Sequence, residues 1–111
     1  MKRQSWILVL ASALALAACG KPVPPEKSAY VGQWESPGFS LLIMQDGSVA
    51  YERLQKGATR SMSGPLKGFV GDDFEVGIAF ISTTFVVSSP PYQEDGKWKM
   101  VVDGVKLTKV E

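Results

Sequence analysis

The side chains able to do chemistry are few. Ser63 and Lys67 stand four apart in Ser63-Gly64-Pro65-Leu66-Lys67-Gly68. A serine and a lysine can act as nucleophile and base without histidine, provided burial lowers the lysine pKa. Nothing around Lys67 predicts burial, and Gly64 and Gly68 read as a bend or bulge in a sheet. Asp72, Asp73 and Glu75 form an acidic cluster. Clustered carboxylates can split their pKa values for acid–base work or hold Ca²⁺, but this run supplies too few ligands for a calcium loop, and Gly71-Asp72-Asp73 is turn sequence. The chain has no His and one Cys. That excludes Ser-His and Cys-His nucleophiles, the usual zinc and haem ligand sets and an intramolecular disulfide. The expectation is a protein that is not an enzyme, with no cofactor and no metal.

Two other clusters suit contacts. In Ser88-Ser89-Pro90-Pro91-Tyr92-Gln93-Glu94-Asp95, the longest irregular stretch, Pro90 and Pro91 stiffen the chain and Tyr92 is a large anchor for a partner. The plain alternative is a connection whose Tyr92 folds back on the domain. Lys97, Lys99 and Lys106 form a basic stripe on one face of a hairpin, suited to anionic head groups or an acidic partner, or serving only as a solvated face that resists aggregation. Twelve basic against eleven acidic side chains give a formal charge of +1. No global field draws the chain to nucleic acid.

The first nineteen residues stand apart from the rest. Lys2 and Arg3 precede an apolar run over 6–18 broken only by Ser12. Such a run is shorter than the roughly 20 residues a spanning helix needs and fits the apolar core of a signal peptide. It closes Leu16-Ala17-Ala18-Cys19. This segment resembles the lipobox of bacterial lipoprotein precursors. The resemblance implies cleavage after Ala18, a diacylglyceryl group on the Cys19 sulfur and acylation, for instance by palmitate, of its amine. Gly20, rather than Asp, follows the Cys, which by the same resemblance implies the outer membrane, facing the periplasm. At about 0.8 kcal/mol per buried CH₂, two or three chains hold a protein permanently. The expected organisation is a signal peptide over 1–18, lipidated Cys19 with a proline-rich tether over 19–29, and a domain over 30–111. Pro22, Pro24 and Pro25 make the tether an extended spacer, able to lift the domain up to ~30 Å from the lipid.

From residue 30 the chain reads as short alternating runs rich in Val, Ile, Phe, Tyr, Trp and Thr, broken by Gly, Pro and Asp. Strands are expected over 30–35, 39–44, 48–54, 59–63, 66–70, 74–80 and 83–88, with a hairpin over 97–110. Parity sets the registers. A two-residue Asp103-Gly104 turn pairs Val102 with Val105, Met100 with Leu107 and Trp98 with Lys109, giving one apolar face. At Asp46-Gly47 the same turn would mix the faces. A three-residue turn with a bulge at Gly47 instead pairs Ile43 with Val49, Leu41 with Tyr51 and Phe39 with Arg53. Such a chain predicts an all-β fold, a small antiparallel up-and-down barrel of about eight strands, with a two-sheet sandwich as the alternative. The expected interior is Trp34, Phe39, Leu41, Ile43, Tyr51, Phe74, Val76, Ile78, Phe80, Phe85, Val87, Trp98, Met100 and Leu107.

Gly32-Gln33-Trp34 resembles the G-x-W that opens lipocalins and related calycin barrels. The resemblance implies a Trp plugging one end of the barrel under a basic side chain from the C-terminal region, here Lys109 over Trp34 or Trp98. The chain is far shorter than those proteins and lacks their disulfide. The functional expectation is a lipid-anchored envelope lipoprotein, a non-catalytic protein-interaction or structural module. Its partners are the membrane, through acyl chains on Cys19, and an envelope protein. The alternative is a carrier of a small ligand or lipid, which needs a large apolar cavity.

Overall fold

The computed structural model describes residues 20–110. Residues 1–19, with Cys19 and the lipobox, lie outside the described residues, as does residue 111. A 3₁₀ helix, Pro25–Tyr30, is followed by β1 (Gly32–Ser36), β2 (Phe39–Ile43), β3 (Ser48–Gln55), β4 (Ala58–Val70), β5 (Asp73–Ile78), β6 (Ile81–Phe85), β7 (Val87–Glu94), β8 (Lys97–Val102) and β9 (Val105–Val110). The nine strands form one antiparallel sheet in the order β6-β5-β4-β3-β2-β1-β9-β8-β7, curled as a half-barrel. The fold is all-β, and one continuous sheet takes the place of the sandwich's two.

Alternation builds it. In β2, Phe39, Leu41 and Ile43 point inward and are buried, while Ser40 and Leu42 face out. The β2–β3 register pairs Phe39 with Arg53, Leu41 with Tyr51 and Ile43 with Val49, as parity required. Gly47, at φ +93°, takes the left-handed position of that three-residue turn. In the β8–β9 hairpin Val102 pairs with Val105 and Met100 with Leu107. Asp103 and Gly104 both have positive φ, as a type I′ turn demands.

Two strands differ from expectation. The segments 59–63 and 66–70 are one strand, β4, which changes partner midway: it pairs β3 as far as Pro65 and β5 from Leu66 onward. A register shift between Leu66 and Gly68 takes up the bend. The expected strand over 83–88 is split at Val86. β6 and β7 occupy opposite edges of the sheet yet are joined by that single residue. Two carboxylates satisfy the corner: Asp73 Oδ1 accepts the Val87 N–H at 2.8 Å and Asp103 Oδ1 accepts the Val86 N–H at 2.9 Å.

The core centres on Trp34, Leu41, Phe74, Phe85, Met100 and Leu107, all fully buried. Phe74 and Phe85 stack at 4.9 Å between centroids, and the Tyr51 ring meets Phe85 edge-on at 5.1 Å. Trp34 Nε1 donates to the Tyr30 carbonyl at 2.9 Å, so its burial leaves the indole N–H satisfied. Lys109 Nζ lies 4.9 Å from the Trp34 ring and 5.6 Å from Trp98, over both tryptophans.

Two expectations are overturned. Residues 20–29 are not a free tether. The Lys21 N–H donates to the Leu66 carbonyl at 3.2 Å and the Val23 N–H to the Gln45 carbonyl at 3.0 Å, while Gln45 Nε2 returns a bond to the Val23 carbonyl at 2.8 Å. Val23 belongs to the core. The prolines hold this strip extended along the sheet, and Pro25 starts the 3₁₀ helix, where its missing N–H costs nothing. Ile78 and Phe80, expected in the interior, are 70% and 92% exposed, because β5 ends at Ile78 and the chain reverses outside the sheet.

Candidate functional site

Each chemistry-bearing cluster has a structural occupation. Lys67 Nζ donates to the Ala79 carbonyl at 2.5 Å. Its ammonium is thus engaged with a backbone oxygen, while exposed Ser63 pairs with Ala50 on β3 and borders grooves on the outer sheet face. The acidic cluster is divided. Asp73 caps the β6–β7 corner, and Asp72 faces Lys27 at 3.6 Å. The Asp72 carbonyl accepts the Tyr30 hydroxyl at 2.8 Å, and Glu75 pairs within the sheet. Burial, with Asp72 and Asp73 nearby, pushes the Tyr30 hydroxyl up to about 12.

The basic stripe is partly neutralised. Lys106 Nζ meets Glu94 Oε1 at 2.6 Å, and that hydrogen bond raises the Lys106 ammonium and lowers the Glu94 carboxyl. Lys99 Nζ donates to Thr108 Oγ1 at 2.8 Å. Lys97 is exposed, paired in register with Glu94. Sequence spacing placed the three lysines on one hairpin but gave no sign that β7 would bring Glu94 beside them.

The stretch expected as a binding loop is strand β7. Tyr92 is half-buried and pairs with Lys99, and register shifts on either side of Ser89 absorb Pro90 and Pro91. The two prolines sit on an edge strand, where a missing N–H blocks further strand addition.

The feature sequence reasoning missed is the β5–β6 tip, Ile78-Ala79-Phe80-Ile81. Ile78, Phe80 and Ile81 are 70%, 92% and 69% exposed. Ile78 pairs with Ile81, leaving Ala79 and Phe80 as the turn, with Ala79 at φ +55°. A turn this tight normally carries Gly, Asn or Asp. Together the Ile78, Phe80 and Ile81 side chains hold an apolar patch out in water. Beside it, Ile78 shares a groove on the outer sheet face with Leu42, Met44 and Pro65. The alternation hid it: Ile78 and Phe80 continue the buried pattern of a strand over 74–80, past the reversal that lies at 79–80.

The first described residue reaches the same place. A Cβ built on Gly20 would stand 2.8 Å from Pro65 Cβ, so Gly20 packs directly against Pro65. No protein-family model, curated protein or solved structure matches the chain.

Proposed function

We propose that the protein is a lipid-anchored, non-catalytic interaction module of the bacterial cell envelope, held by acyl chains on Cys19 in the outer membrane and facing the periplasm. The order of Lys2-Arg3, the apolar run and Leu16-Ala17-Ala18-Cys19 supports the anchor. The observation that carries the interaction role, with lipid or with protein, is the β5–β6 tip, where Phe80 at 92% is the most exposed large apolar side chain among the described residues. The interior, filled by Trp34, Phe74, Phe85 and Met100, favours this reading over a carrier with a ligand cavity.

The test is the mass and fractionation of the mature protein from membranes. The expected product begins at Cys19 and carries diacylglyceryl and N-acyl mass, whereas Cys19→Ala carries neither and is not cleaved after Ala18. A free Cys19 thiol on a chain still beginning at Met1 would refute the anchor.

A further inference from the structure

We infer that the β5–β6 tip is a second membrane contact, entering the same bilayer face as the acyl chains on Cys19. The inference rests on the anchor reading and adds how the domain lies on the lipid. Three consecutive residues of β4 gather both features. Gly20 lies against Pro65, the Lys21 N–H donates to the Leu66 carbonyl, and Lys67 Nζ holds the Ala79 carbonyl of the tip. Gly20 follows Cys19 directly in the chain. Phe80 is two residues from Ile78, at most about 7 Å along the chain. Ile78 in turn lines one groove with Pro65.

No slack separates the anchor from the domain. With Lys21 and Val23 hydrogen-bonded to β4 and to the β2–β3 turn, acyl chains on Cys19 bring Pro65 to the lipid surface, and the tip with it. An anchored domain faces that surface at a high effective concentration, so modest apolar side chains suffice to engage it. Phe80, Ile78 and Ile81 have the size and character to seat at the boundary between head groups and acyl chains. The partly exposed Lys67, whose ammonium holds the Ala79 carbonyl, stands beside them, and an ammonium group at this level suits head-group phosphates. A protein partner would need to enter between the tip and the bilayer.

The experiment uses the full-length protein, purified from membranes, with Phe80→Cys labelled by the fluorophore NBD and reconstituted in phosphatidylethanolamine–phosphatidylglycerol vesicles. Phe80 touches the core nowhere, so the variant folds. Pro37→Cys, in the β1–β2 turn at the far end of β2 from the anchor, is the control. The expected result is one label per chain, because Cys19 is blocked. Quenching by iodide at position 80 should be at least ~fivefold weaker than at position 37, with quenching by doxyl-labelled lipid only at position 80. One label per chain with position 80 open to iodide overturns the membrane contact and leaves the anchor standing. Two labels per chain show a free Cys19 and refute the anchor, and with it the contact that rests on it. Shielding of position 80 only after envelope proteins are added would reassign the tip to a protein partner and overturn the inference.

Discussion

Lys109 reaches across the end of the sheet to cover Trp34, its ammonium 4.9 Å from the ring and bonded at 2.9 Å to the Ala29 carbonyl. The Trp34 indole in turn holds the Tyr30 carbonyl. The last strand and the first are therefore fastened to the same 3₁₀ helix. Trp34→Phe should open a cavity and remove the bond to Tyr30, costing about 2 kcal/mol. For a domain of this size the melting temperature followed by circular dichroism should fall by about 10 °C. Lys109→Met keeps the apolar stem and removes the charge; it should cost about 1 kcal/mol and half that shift.

Asp103 joins three elements through one carboxylate. Oδ2 accepts from Arg53 of β3 at 2.8 Å, and Oδ1 accepts the Val86 N–H between β6 and β7 at 2.9 Å. Its φ of +49° is one that Asn also tolerates. Asp103→Asn should therefore lose mainly the ion pair, and Asp103→Ala both contacts. In urea titrations the expected losses are about 0.5 and about 2 kcal/mol. Equal losses would show that the Val86 bond contributes nothing.

Alkaline pH should loosen the fold through Tyr30. Its hydroxyl is pushed up to about 12 by burial, reinforced by Asp72 and Asp73. The folded chain thus keeps this proton more tightly than the unfolded chain, which releases it near pH 10. The Tyr30 contribution is fully present below pH 10 and is lost as pH rises to about 12. Tyr30→Phe keeps the ring and removes the proton. Urea midpoints measured between pH 9 and 12 should fall less steeply for the variant than for the wild type.

Gly47 and Gly57 both have positive φ but different neighbours. A Cβ on Gly47 would collide with the Lys21 carbonyl, whereas one on Gly57 meets nothing within 4 Å. Gly57→Ala should cost only the backbone strain, about 1 kcal/mol. Gly47→Ala should cost more and displace residues 20–23, read as faster amide exchange at Lys21 and Val23. Unchanged exchange there would show that the strip is held by its other bonds.

What the sequence made legible was local. The β2–β3 and β8–β9 registers follow from two-residue parity and turn chemistry at Gly47 and Asp103-Gly104, which a short window contains. What it hid was pairing at a distance. Nothing local to Val23 announces that Gln45 will hold it, or local to Lys106 that Glu94 will neutralise it. Pro90-Pro91 reads as a loop because proline breaks ladders, and only its place at the sheet edge makes it tolerable. The β5–β6 tip was hidden differently. Ile78 and Phe80 keep the alternation of a buried strand, and only the position of the reversal puts them outside.

The first strand lies at the middle of the sheet, between β2 and β9. Lys109 and Ala29, which meet beside it, are separated by 80 residues. During synthesis β1 therefore has one unpaired edge until nearly the whole chain is available. Closing so long a loop is slow, and the sheet completes late. A chain built this way can form its local hairpins early, but completes its sheet only once its last strand is available to pair with β1.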